Sequence, residues 1–463
     1  AILAAQVWDG MLDYDDFYHK NQYIDTELTD LMGDSRRSNY MIEERHTDQL
    51  DYNLAVNVQH NMRNNMKIVG GANLRVNRTN YYSQVKDLLG GDYWYDIDKF
   101  AERDMASETA YQNDLDYYWS TGHARIAREG DMYGYYYRAH LLESEAWANY
   151  SWAVGGFSLG VAGSVGYSQM YREGMWRKGL FPDNSKGDSK KLDYLTYEGK
   201  LSLGYKFSGA HSLEANAVIL QQAPKFNTAF VSPRTRNNVT PGLKAEKVFG
   251  VDLTYNLNLP YIKARLSGYY TTIADQAKVI SFYDDTRSSF TNFAMSGIDK
   301  RHYGVELGLS IPVWNGISVV GAVSWGDYTY TSNADFVQTV DNVDRIVLRD
   351  KVNWKGMHVE SSPQTAINVG LDYRGARNWF AGVNLNYYDR LYLSMNPFYR
   401  TNTASEYFTN LILSELSMPE PNMTTIDGAL SSINELRAQE EFGGYFTLSA
   451  NVGKNWYIGN YML

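Results

Sequence analysis

The chain has 463 residues, a net charge of -10, 39 Tyr and no Cys. Without thiols, disulfides, zinc-thiolate sites and thiol catalysis are excluded, and the acidic balance argues against a nucleic-acid partner tracked through its phosphates. Mean hydropathy is -0.45 and no apolar run approaches the ~18 residues of a membrane helix, so any membrane span must be made of strands, where every second residue can stay polar.

In chain order, strands of period two are predicted near 52-62, 66-82, 135-153, 157-171, 192-207, 211-222, 246-258, 261-274, 302-313, 317-330, 364-374, 378-390, 445-455 and 456-463, about fourteen in all. The clearest is Phe157 to Tyr167, where Phe157, Leu159, Val161, Val165 and Tyr167 share a face and Ser158, Gly160, Ala162, Ser164 and Gly166 share the other. Many of these segments exceed the ~5–6 residues of an average soluble strand and match the ~9–11 that a tilted membrane strand needs.

Tight turns are predicted at Arg63-Asn64-Asn65, Gly155-Gly156, Ser208-Gly209, Leu259-Pro260, Asn315-Gly316, Gly375-Ala376 and Tyr457-Gly459. Between them lie long excursions near 83-134, 172-191, 223-245, 275-301, 331-363 and 391-444. Short and long connections alternate, as they do between the periplasmic and extracellular rims of bacterial barrels. The expectation is an all-β, antiparallel, transmembrane outer-membrane barrel. Residues 1-51 are expected to form an extracellular loop or strand remnant, and 52-463 the barrel segment.

The apolar set of each strand should face lipid, with Tyr167, Tyr205, Trp325, Tyr373 and Tyr387 in the interfacial girdles. The other set, including Asn53, Asn57, Gln59, Asn73, Arg75, Asn77, Glu198, Lys200, Asp252, Glu306, Asn384 and Asn386, should line a wet interior. With the short turns periplasmic, 456-463 would ascend, and an even-numbered barrel would then need one further strand beyond Leu463.

No catalytic constellation is apparent: there is no H-E-x-x-H, G-x-S-x-G, P-loop or dinucleotide fingerprint, so no enzyme, cofactor or metal site is expected. Asp13, Asp15 and Asp16 lack the Gly turn and bidentate Glu of an EF-hand loop, and read as a solvated acidic loop. Aromatics in the long excursions, Tyr93, Trp94, Tyr117, Trp119 and Trp176, are candidate solute-binding residues, since exposed ring faces beside polar groups can stack on sugars or peptides. The alternative is that loops of this length need aromatics to pack against one another.

Two blocks carry a resemblance. Asn227-Thr228-Ala229-Phe230-Val231-Ser232-Pro233-Arg234-Thr235-Arg236-Asn237, followed by Gly242-Leu243-Lys244-Ala245-Glu246-Lys247, resembles the barrel of TonB-dependent receptors. So does Asn292-Phe293-Ala294-Met295-Ser296-Gly297-Ile298-Asp299-Lys300-Arg301 leading into Tyr303-Gly304-Val305-Glu306. The style is similar to the large receptors of Bacteroidetes. The resemblance implies a barrel of about 22 strands, about 14 of them visible, around a plug. It implies energy from the TonB-ExbB-ExbD complex and uptake of a bulky solute such as a glycan, peptide or metal chelate. A surface lipoprotein, outer-membrane lipid and lipopolysaccharide are the other partners to expect. Neither a plug domain nor a TonB box is seen in this sequence, and both blocks mark the family without being ligand sites. The competing reading is a non-transporting barrel, an adhesin or a structural subunit of an outer-membrane complex.

Overall fold

Thirteen long strands follow one another as antiparallel neighbours in a single sheet. The computed structural model describes residues 13–284, 288–343, 345–458 and 461–462. In chain order the strands are β1 (Ile42–Asn61), β2 (Met66–Asp87), β3 (Met132–Val154), β4 (Phe157–Gly174), β5 (Leu192–Lys206), β6 (His211–Gln222), β7 (Glu246–Leu259), β8 (Ile262–Asp284), β9 (Ser289–Trp314), β10 (Ile317–Tyr330), β11 (Thr365–Arg374), β12 (Trp379–Asp389) and β13 (Tyr445–Lys454). Each pairs with the next, so the topology is an up-and-down meander. Among the described residues the outermost strands β1 and β13 do not pair with each other.

The register makes the two faces continuous across strands. One row runs Tyr150, Val161, Leu201, Ala217, Val251, Tyr270 and Tyr303 through seven successive strands. The row beside it on the other face runs Ser202, Asn216, Asp252, Tyr269, Gly304 and Gly326. The apolar face is open to its surroundings: Leu253 is 52% exposed, Val369 54% and Leu448 72%. So large and continuous an apolar surface is what a barrel presents to hydrocarbon, whereas water would make it an aggregation surface.

The polar face carries its own hydrogen bonds. Asn216 donates to Asp252 at 2.9 Å, Asn368 to Asn386 at 2.6 Å, and the hydroxyls of Thr254 and Ser267 meet at 2.8 Å.

At one rim the connections are tight. In the three-residue connection 63–65, closed by Met62 N donating to Met66 O at 2.8 Å, Asn64 and Asn65 both have positive φ, 62° and 56°, which Asn tolerates in tight hairpin turns. Gly316, at φ 78°, packs so closely on the Arg374 carbonyl that a Cβ there would collide with it.

The structure departs from the predictions in two places, one at each rim. The expected excursion 275-301 is instead the protruding end of the β8–β9 hairpin, paired from Gln276↔Ile298 up to Asp284↔Ser289 after bulges near Gln276. Pairing continues because both faces find cover. Ile280, Phe282, Phe293 and Met295 pack into one cluster with Phe336, Val352 and Trp354, and Val279 and Ala294 into another with Val231 and Val337. A strand Ala334–Val340 pairs with β9 beyond the wall, and Ile346–Val352 pairs with it in turn.

The other departure is the expected fourteenth strand, 456-463. Tyr457–Ile458 and Tyr461–Met462 pair with each other. Each described piece is only two residues long, and among the described residues neither pairs with β13. Gly459, the end of the predicted turn, and Leu463 lie outside the described residues.

The wall is one sheet thick, so the buried clusters sit mainly under the long connections at the rim opposite the tight turns. There they form a roof over one end of the polar face.

Candidate solute site beneath the roof

Hydrogen bonds join each long connection to the next. Segment 88–131 meets 175–191 where Leu115 N donates to Arg177 O at 2.7 Å and Gly179 N to Gln112 O at 2.9 Å. Segment 175–191 meets 223–245 through Asn237 N to Asn184 O at 2.8 Å. Segment 223–245 meets 331–343 through Ser232 Oγ to Asp341 Oδ1 at 2.7 Å and Arg236 to Val343 O at 2.9 Å. The next joint pairs Asn353 N with Arg400 O at 2.9 Å and Thr403 with Asp350 at 2.7 Å. Helices Glu406–Leu416 and Met423–Arg437 close this last excursion, whose ends pair at Leu391↔Phe442.

One joint buries charge. Lys178 donates to Asn113 Oδ1 at 2.8 Å and to the Gly134 carbonyl. Asn113 Nδ2 and Gly134 N donate to Asp96 Oδ1 at 2.8 and 2.9 Å, leaving Asp96 Oδ2 with no hydrogen-bond partner. Burial lowers the Lys178 ammonium to about 8, against the pull of Asp96, and burial likewise raises the Asp96 carboxyl above its ordinary value. Asp341, at the next joint but one, is also raised by burial, opposed by the Ser232 and Asn292 hydrogen bonds.

Below segment 223–245 the polar wall of β1–β5 encloses a recess of about 710 Å³. Parity places Asn73, Arg75, Asn77, Thr79 and Tyr81 of β2 on the inner face, beside Glu143 and Glu145 of β3 and Ser168 of β4. Arg75 donates to Asp51 at 2.7 Å and to Glu143 at 3.3 Å. From above, the single helical turn Phe226–Ala229 lowers Phe226 onto the wall. The Phe226 ring lies within 7° of parallel to Tyr81 at 6.4 Å and within 10° of Tyr137 at 6.5 Å. Tyr81 and Tyr137 stack at 4.9 Å. Ala229 and Phe230, fully buried against Met170 and Leu192, anchor this turn. One buried polar group bordering the recess, Ser168 Oγ, has no hydrogen-bond partner in the protein.

None of the five aromatics singled out from the sequence borders that recess; all lie in the roof. Tyr93 is fully buried, so its ring serves roof packing and offers no face to a solute. Trp94 packs edge-on to Tyr133 at 6.2 Å and Tyr117 edge-on to His123 at 5.7 Å. Trp176 lies under Arg125 at 4.5 Å and against Tyr136 at 6.2 Å. Trp119, 60% exposed, keeps a free face while Arg177 sits 5.8 Å from its ring. Sequence reasoning missed Tyr81, Ser168 and Phe226. The alternation that put Asn73, Arg75 and Asn77 inside also puts Tyr81 there. Phe226 gives no such signal, because it belongs to a loop. Among the described residues no group of acidic and His side chains could hold a metal ion.

A family model described as TonB dependent receptor-like, beta-barrel, matches residues 4–459. The chain belongs to that family. Members of that family are outer-membrane β-barrel proteins. No curated protein sequence matches the chain. Among solved structures it is similar to the copper transporter OprC at 13% identity and TM-score 0.55, covering 93% of this chain and 51% of that one. It is similar to the ferric citrate transporter FecA in its unliganded form at 10% and 0.51, covering 92% and 50%. The siderophore receptor PiuA from Acinetobacter baumannii matches at 10% and 0.51, covering 90% and 50%. At such identities the likeness is one of fold, and the chain spans about half the length of these structures.

Proposed function

We propose that this chain is the wall, roof and solute-contacting surface of a TonB-dependent transporter in the bacterial outer membrane, with the long connections extracellular. The carrying observation is the polar inner face, continuous from strand to strand and ending in a polar recess under a folded roof, in a chain of this family. The apolar outer face is the contact with lipid. The names of the structural neighbours, transporters of copper and ferric citrate and a siderophore receptor, support uptake as the task. They do not select the solute. TonB-ExbB-ExbD would supply the energy.

The test compares cells with and without the gene across sole carbon, nitrogen and iron sources, in backgrounds with and without TonB. The expected result is a growth defect on one source that loss of TonB reproduces. A defect that persists unchanged in cells lacking TonB would remove the proposal.

One observation favours a second role, as a docking subunit. At the tip of the helical hairpin, Leu413, Leu416, Met418 and Met423 are all more than half exposed, an apolar surface that a surface lipoprotein could cover. Co-purification of a lipoprotein that is lost on replacing these four residues by Ser would support it.

A further inference from the structure

The recess on the β1–β5 wall has the chemistry of one ligand class. One side of it is aromatic: Tyr81 and Phe226 lie nearly parallel at 6.4 Å, and Tyr137 stacks on Tyr81 at 4.9 Å. Its rim is made of groups that hydrogen-bond in both directions, the amides of Asn77 and Gln222, the Ser168 hydroxyl and the Glu145 carboxylate. Ser168 is 3% exposed, yet Ser168 Oγ remains without a partner in the protein. A buried donor or acceptor left unpaired destabilises the empty site and is relieved when a ligand supplies the partner.

Charge narrows the choice. Arg75 is already engaged by Asp51 and Glu143, and Glu145 adds a further carboxylate on the same wall. Lys225 at the rim is the other cation of the recess. An anionic chelate would therefore meet carboxylates and a neutralised guanidinium, which disfavours it electrostatically. A peptide strand presents one backbone donor and acceptor per residue and no flat apolar face. A pyranose presents an apolar C–H face with hydroxyls around its edge, which matches a parallel-ring side bordered by amides, a hydroxyl and a carboxylate.

We propose that this recess is a saccharide subsite, taking a neutral oligosaccharide with one ring face on Tyr81 and Phe226 and its hydroxyls on Asn77, Ser168, Glu145 and Gln222. It rests on the uptake reading above and adds the class of solute. The recess borders the roof segment 223–245 through Ala223, Pro224, Lys225 and Phe226.

The experiment is calorimetric titration of the purified full-length receptor in detergent with maltohexaose, cellohexaose, mannohexaose and xylohexaose, and with ferric citrate as the anionic comparison. At least one hexasaccharide should bind and ferric citrate should not. Phe226→Ala should weaken that binding about tenfold, with Phe226→Tyr restoring it. Ser168→Ala should weaken it about three- to tenfold. Ser168 Oγ bonds to nothing in the protein, so S168A should leave the unfolding midpoint unchanged or raised. This opposite response of affinity and stability separates a ligand contact from a structural role, and protects the test should F226A misfold. Failure of all four sugars to bind, binding indifferent to both substitutions, or binding of ferric citrate that F226A abolishes would each overturn the saccharide assignment. Binding in detergent needs no TonB, so TonB-dependent growth with no sugar binding would sink this inference alone. Sugar binding without TonB-dependent growth would instead sink the uptake reading.

Discussion

Arg172 stands at the upper end of β4, 2% exposed. It spends its guanidinium on backbone of two roof segments: Pro233 O at 2.6 Å and Ser185 O at 2.9 Å, with Asn237 Oδ1 as a third acceptor. The Tyr137 ring lies 5.2 Å from it. A Lys has no planar fork with which to reach three acceptors in different directions. Arg172→Lys should therefore cost about 2–3 kcal/mol of roof stability. Limited proteolysis should show cleavage within 175–191 and 223–245 at protease levels that spare the parent protein; equal resistance would contradict this account.

Lys178 gives a pH dependence. Its folded pKa, about 8, lies below the ordinary 10.5 because burial disfavours the charge. The unfolded segment then binds more protons than the folded one between these values, so roof stability rises as pH rises from about 8 toward 10.5. Asp96 is raised and acts in the opposite sense: its contribution is present below the ordinary carboxylate value and lost as pH climbs through its folded value. Segment 88–131 should accordingly resist subtilisin better at pH 10 than at pH 8, after correction for the protease's own pH profile, and Lys178→Met should flatten the difference. Neither residue is conspicuous in the sequence. A lone Lys in a loop reads as solvated, and only the approach of three distant segments buries it.

At the scale of the element, the strands were the most legible part of the molecule. Alternation depends on neighbours two residues apart, and it put Val161 and Leu307 on the lipid face, where both now sit in register with apolar partners, Leu201 and Tyr150 for one and Leu266 and Val323 for the other. Arg at either position should cost about 2–4 kcal/mol near the bilayer midplane. Ser202→Arg, on the opposite face of β5, should cost much less, because the guanidinium enters the wet interior. Urea-dependent folding into vesicles measures both, and similar losses for Val161→Arg and Ser202→Arg would reverse the face assignment. The same logic failed where burial comes from loops. Residues 276–284 and 289–298 continue the β8–β9 hairpin with apolar clusters against both faces, so their pattern has no polar side to betray a strand. At 456–463 the described pieces pair with each other instead of with β13. Helices Glu406–Leu416 and Met423–Arg437 sit inside an excursion that the sequence marked only by its length.

For the whole molecule, the question is whether the roof moves as separate loops or as one body. Arg236 sits at the middle of the chain of joints. It is 1% exposed, donates to Val343 O at 2.9 Å and Val340 O at 3.4 Å, and lies over the Phe181 ring at 4.6 Å, so one side chain ties its own connection to two others. The stretch Asn227 to Asn237, legible in the sequence only as a family mark, thus has a physical task in holding the roof together. If the joints act cooperatively, Arg236→Ala removes a shared support and all three segments open together. Hydrogen exchange of the protein in detergent should then show protection falling by a similar factor in 175–191, 223–245 and 331–343, with β4 and β7 at the wall unchanged. Independent loops would lose protection in 223–245 alone. The cooperative outcome carries a consequence for uptake: a solute reaching the recess under Phe226 must either use a gap in a rigid roof or lift several segments at once. A single loop swinging aside would not suffice, and Arg236→Ala should speed solute entry without changing affinity at the wall.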